Sequence, residues 1–159
     1  MNSSSHNLIP EFLRKDARSE IGSYTFNYEE IHAFRQEFYA NSAIDEPSKN
    51  AALCAANWHV LSVWMKLQRQ SIARHAEELK LQSRPWPEFG PSPGMEAIKW
   101  PYPVKCGDVV TYTNHVKEIR QSGSKPDWWI MASQCSGKNK SDQCVLQFES
   151  SVFLKLIEQ

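Results

Sequence analysis

The sequence predicts an α+β domain in which a curved antiparallel sheet wraps around one long central helix. Three observations predict it. Residues 53–80 read as a single helix whose first half, 53–65, is apolar almost all round, and a helix apolar on every side must be enclosed by other structure. After Met95 the texture changes to long segments of two-residue period, the mark of strands with one face on a core. Helices followed by a run of strands make an α+β arrangement rather than alternating βαβ units. The length of 159 residues fits one domain, and a chain of this size buries roughly 70% of its unfolded surface without needing staples. We place the domain at 20–159, preceded by an N-terminal extension, 1–19, that is partly flexible.

The elements follow in order. Residues 1–19 are Ser-rich and then charged, and begin as a loose tail. Residues 21–26 alternate as a short strand. Asn27 caps the helix that follows, and Glu30 three residues on completes a capping-box-like start. Ile31, Phe34 and Phe38 recur at helical spacing, which buries one face of 28–38. Asn41, Ser42, Asp45, Pro47 and Ser48 then make a loop. The second half of the long helix, 66–80, is polar with a thin stripe of Leu67, Ile72, Ala76 and Leu79, and emerges toward solvent. Pro85, Pro87, Pro91 and Pro93 stiffen the next loop. Strands are expected at 96–104, 108–121, 128–136 and 144–156, with a turn at Ser136-Gly137-Lys138-Asn139. Val110, Tyr112, Asn114 and Val116 share one face of their strand, as do Phe148, Ser150, Val152 and Leu154 of theirs. Trp128-Trp129 sends one ring to each side of the sheet.

Composition removes several function classes. Lys plus Arg and Asp plus Glu balance at 18 each, so the broad positive footprint of a nucleic-acid binder is missing. Residues 1–16 are polar apart from Leu8-Ile9-Pro10 and do not resemble a secretory signal, so a cytoplasmic location is expected. The longest uncharged run, 50–65, contains Asn57, His59 and Ser62 and is shorter than the ~20 apolar residues a membrane span requires. No membrane or nucleic-acid partner is expected. Cys54, Cys106, Cys135 and Cys144 form no CxxC pair and no zinc-like spacing with His. They read as free thiols with no metal role, although Cys135 and Cys144 could face each other across a hairpin.

Particular residues then carry a resemblance. Cys54-Ala55-Ala56-Asn57-Trp58-His59, opening an apolar helix, resembles the helix start of MaoC-like hydratases. The run from Gly90-Pro91-Ser92-Pro93-Gly94 through Trp100 to Pro103-Val104-Lys105-Cys106-Gly107-Asp108 is similar to a second segment of that family. Phe34 and Phe38 stand where the family has a pair of Phe. The resemblance covers residues 20–156. It implies a hot-dog fold and dimers that share one continuous sheet. It also implies trans-2-enoyl or (R)-3-hydroxyacyl thioesters of coenzyme A or acyl carrier protein as ligands, chemistry of fatty acid metabolism that uses no metal or redox cofactor.

Adding water to an enoyl thioester requires a base for the water, a proton for the alpha carbon and donors at the thioester oxygen. In the family, an Asp and a His hold and activate the water. Their positions here are Tyr39 and Ile44. Residues 39–58 hold no His, and their acids are Asp45 and Glu46. Isoleucine accepts no proton, and a phenol is ordinarily a poor base at pH 7. The carbonyl donors would be backbone N–H groups at the start of the long helix, bounded by Ala55, Ala56, Asn57 and Trp58 together with Tyr39 and Ile44 as the substrate-binding set.

Three readings follow. The chain is a catalytically degenerate hot-dog subunit that still binds an acyl thioester or supports a catalytic homologue. Or it is an enzyme acting through other residues, with Asp45 or Glu46 and His59 or Asn57 as candidates. Or it is an assembly module with no thioester ligand. His59 also fits plain packing, Tyr39 could simply fill the volume of the water site, and Trp58 and Trp64 read as core. Cys54 reads as a buried thiol. Lys66, Arg69 and Arg74 could meet coenzyme A phosphates or line a solvated helix face. His32, His75 and His115 are isolated.

Overall fold

The computed structural model describes residues 9–39 and 53–156. After a 3₁₀ turn at Glu11–Leu13, the elements are β1 (Arg18–Thr25), α1 (Tyr28–Tyr39), α2 (Asn57–Leu81), β2 (Glu88–Phe89), β3 (Gly94–Lys99), β4 (Val109–Gln121), β5 (Trp128–Asn139) and β6 (Cys144–Lys155). The strand order is β1-β4-β5-β6-β2, with β3 also pairing β6. Every pairing is antiparallel. The expected α+β domain, a curled sheet around one long helix, is the observed one.

The core explains the wrapping. Val60, Leu61, Val63, Trp64 and Leu67 of α2 are buried against Val110, Tyr112, Cys135, Leu146 and Phe148 of the sheet. Each such side chain contributes about 1.5–3 kcal/mol when fully buried. The Trp64 ring meets Phe148 edge-on, with centroids 4.8 Å apart. The Tyr112 hydroxyl crosses from β4 to donate to the Val60 carbonyl at 2.9 Å. Burial holds that phenol's pKa well above its usual value. β1 lies close on α2 at a bulge between Glu20 and Gly22. Gly22 has φ +143, and a Cβ there would stand 3.2 Å from the Leu67 side chain.

Asn27 caps α1 as expected, its Oδ1 accepting the Glu30 N–H at 2.9 Å. The inward faces of β4 and β6 are those predicted, and Trp129 packs inward while Trp128 meets Phe153 on the other side.

Several expectations are corrected. The N-terminal extension is not loose over 9–17. Ile9 and Leu13 are buried with Val116, Ile119, Met131 and Leu154 in a second cluster, and Val116 exchanges backbone hydrogen bonds with Asp16 and Ala17. Phe38 is 63% exposed, so only Ile31 of the three α1 positions is fully buried. α2 begins at Asn57 because residues 53–56 are extended, bridged through Cys54 to Lys105. Its first half is not enclosed all round: Trp58 is 55% and Met65 49% exposed. β3 stops at Lys99, short of the expected 104. β5 continues to Asn139, and Gly137 lies within the strand, where a Cβ would stand only 3.0 Å from the Tyr112 ring. The turn falls later, where the Asn139 side chain accepts the N–H groups of Ser141 and Gln143. Cys135 stands opposite Phe148 and Cys144 opposite Lys138, so the two sulfurs do not pair, and none of the four cysteines forms a disulfide. Burial pushes the Cys135 thiol up to about 12. No described helix is long and apolar enough to cross a membrane.

Tyr112→Phe removes the strand-to-helix hydrogen bond with little change in ring volume. We expect a loss of about 1–2 kcal/mol in urea unfolding with an unchanged far-UV spectrum.

Candidate functional site

The start of α2 is built by the extended segment before it. The Ala55 N–H donates to the Val104 carbonyl and the Cys106 N–H to the Leu53 carbonyl, each at 2.8 Å. Arg35, from α1, aims both Nε and Nη2 at the Cys54 carbonyl, each at 3.0 Å. This fixes the chain that enters the helix. Ala55 and Ala56 are buried. Ala56 is the N-cap residue and has no side chain able to cap, so no side-chain hydrogen bond closes the helix start. The first-turn N–H groups lack intrahelical acceptors in any α-helix, and their aligned dipoles favour negative charge.

Around this point the structure gathers an aromatic row. Phe34 stacks on His59 with centroids 4.6 Å apart and planes 6° from parallel. Tyr39, the half-buried last residue of α1, has its ring centroid 6.4 Å from that of Phe34. Phe26 meets His59 edge-on at 5.2 Å. His59 is buried, and its Nδ1 has no hydrogen-bond partner among the described residues. Desolvation lowers its pKa, outweighing the opposing charge of Glu30. The imidazole is therefore neutral at pH 7 and enclosed by rings. Asn57 is exposed, and Trp58 is not core as expected but rests on Trp100 at 5.6 Å with an open face. Ile44, Asp45 and Glu46 lie outside the described residues.

The candidate phosphate partners are partly engaged. Lys66 sits over the Tyr24 ring at 5.2 Å, and Arg74 donates to the Ile21 carbonyl at 3.2 Å. Arg69 is exposed. Burial first, then the hydrogen bond and charge of Glu30, push the Tyr24 phenol up to about 12. Cys54 is half-buried. Among the described residues no group of three His, Cys, Asp or Glu could hold a metal.

A second feature escaped the sequence reading. A cavity of about 250 Å³ opens between the middle and second half of α2 and the inner sheet face. Met65, Ile72, Met131 and Val152 give it apolar walls, and Gln68, Ser71, Asn114, Ser133 and Ser150 add polar ones. The lining does not reach 55–59, so the cavity and the helix start are separate places along α2. The available signal was the polar residue at an inward strand position, as at Asn114 and Ser150.

A curled antiparallel sheet around one helix is the hot-dog fold, and solved structures share it. A MaoC-like dehydratase from Rhodospirillum rubrum matches with TM-score 0.70 at 24% identity, over 94% of this chain and 97% of its own. An (R)-hydratase from A. caviae involved in PHA biosynthesis matches with TM-score 0.58 at 17% identity, over 93% and 100%. A Mycobacterium tuberculosis protein with a double hotdog fold matches with TM-score 0.60 at 16% identity, over 96% of this chain and 46% of its own. No family model matches the chain, and no curated protein matches it significantly in sequence. The likeness is one of fold: this chain has the architecture found in MaoC-like dehydratases and (R)-hydratases.

The His59 cage predicts a pH dependence with a definite sign. The folded ring resists protonation, whereas the unfolded ring takes a proton near its ordinary value of about 6.5. Stability from this residue is therefore complete above that value and is lost as pH falls through it. Between about pH 7.5 and 5.5 the melting temperature of the native chain should fall more than that of His59→Phe. Parallel curves for the two would contradict the assignment.

Proposed function

We propose that this chain binds an acyl thioester of coenzyme A or acyl carrier protein at the start of α2 and does not itself hydrate it. One observation carries the reading: the central helix starts with no side-chain cap, on a buried Ala-Ala approach whose position Arg35 fixes. Such an end presents backbone N–H groups to an acceptor oxygen, the arrangement that polarises a thioester carbonyl. Adding water would further require a base beside the bound thioester. The resemblance puts Tyr39 and Ile44 where that base pair would stand, and the adjacent imidazole, His59, is enclosed among Phe26 and Phe34. The alternatives are an enzyme working through other residues and an assembly module with no thioester ligand.

A specific surface favours pairing with a second hot-dog chain. Trp58 and Met65 expose apolar surface on α2. Among the described strands, β3 bonds only β6, so one edge of β3 is open. A homodimer, or a heterodimer with a catalytic hot-dog homologue, would cover both.

An acyl-CoA panel read by thermal shift and by turnover tests the reading. Acyl-CoA at 100 times its Kd should stabilise the fold by about 2.7 kcal/mol, with no hydration of a short enoyl-CoA at neutral pH. Turnover by the pure chain would sink the non-catalytic half of the proposal, and no shift with any thioester would sink the binding half. Tyr39→Asp combined with Ile44→His should create measurable hydratase activity.

A further inference from the structure

The cavity beside α2 differs from an ordinary packing defect. Apolar cavities stay dry because nothing in their walls holds water. The walls here carry a polar belt. Ser133 and Ser150 are cross-strand partners on β5 and β6, so their side chains share one face. Ser71 and Gln68 line the same space from α2. Ser71 is only 5% exposed and Ser133 only 8%. Neither hydroxyl has a hydrogen-bond partner among the described residues, and neither is sealed away from the cavity. The amides form a short relay. Trp64 Nε1 donates to Asn114 Oδ1 at 3.0 Å, and Asn114 Nδ2 donates to Gln68 Oε1 at 2.5 Å. The relay consumes the acceptors and leaves the Gln68 amide N–H groups as donors at its end.

An apolar face of α2 runs from the helix start toward this belt. Trp58, Met65 and Ile72 recur at seven-residue spacing, so they lie on one face of α2. Trp58 and Met65 are exposed, and Met65 and Ile72 line the cavity. At 1.5 Å per residue, the track from Trp58 to Ile72 is about 21 Å long. A chain held at the helix start would meet the polar belt well away from its thioester.

We infer that the cavity receives the distal half of a long acyl chain that carries an oxygen there, as a hydroxyl or carbonyl group, rather than a plain saturated tail. This rests on the proposed binding of a thioester at the start of α2. Plain methylenes pressed against Ser71, Ser133 and Gln68 would strip those groups of water and give nothing back. An oxygen acceptor would satisfy them, and a site built around such a bond discriminates against the analogue that lacks it.

Calorimetric titration of the full chain with three coenzyme A thioesters tests this: butyryl, octadecanoyl, and octadecanoyl bearing a hydroxyl or keto group in its distal half. The oxygenated chain should bind at least about tenfold more tightly than octadecanoyl. Ser133→Ala with Ser150→Ala, folded by circular dichroism, should shrink that preference to about twofold or less. Equal or tighter binding of octadecanoyl would overturn the inference and leave thioester binding intact, the cavity then being hydrated space. A preference undiminished in the double variant would overturn the role of the two serines. Binding by none of the three, butyryl included, would remove both the inference and the reading beneath it.

Discussion

The first half of α2 carries Val60, Leu61, Val63, Trp64 and Leu67 within two turns, and water cannot surround such a cylinder cheaply. Much of the architecture answers that constraint. The sheet curls so that β1, β4, β5 and β6 can all face one helix, and the Gly22 bulge lets β1 come within contact of Leu67. Tyr112 reaches across to the Val60 carbonyl, which fixes the helix in register with β4 as well as burying it. Hydrophobic burial alone is non-directional. The directional bonds of Tyr112 and of the Trp64–Asn114–Gln68 relay set where along the sheet the helix rests.

Placing the helix also places its first turn. The approach segment is held on both sides, by backbone bonds to residues 104 and 106 and by the Arg35 guanidinium on the Cys54 carbonyl. Overall neutrality does not oppose a charged ligand at such a point. Oriented N–H groups act within a few ångströms, whereas net charge acts through a field that salt screens beyond about 8–10 Å.

The residues made much of this legible. The alternation of β4 and β6 and the Asn27 cap rest on local rules of periodicity and capping and are found where those rules place them, and the single long helix is found with its start four residues later than expected. The failures share a cause. Trp58 and Met65 read as core because hydrophobicity does not say which side of a helix is covered, and one chain does not cover the whole of α2. Phe38 failed for the same reason. The turn after β5 was misplaced because Gly137 reads locally as a turn residue, while its role is to admit the Tyr112 ring from a neighbouring strand. Ile9 and Leu13 lay in a segment judged by its polar composition, yet two apolar side chains suffice to anchor it over the end of the sheet. The cavity was the least legible feature, since it depends on Ser71, Ser133 and Ser150, three positions distant in sequence that only the fold brings together.

The two ends of α2 differ in what they would ask of evolution. Donors at the helix start are backbone groups. They depend on Ala56 being unable to cap and on the path of residues 53–56, not on any reactive side chain. A change of reactive side chains nearby would therefore leave those donors in place. Binding and chemistry are separable in such a site, because the first is written in the backbone and the second in two side chains. The cavity reverses this dependence: its polar belt consists of the side chains of Gln68, Ser71, Ser133 and Ser150 themselves, so any change among them alters it directly.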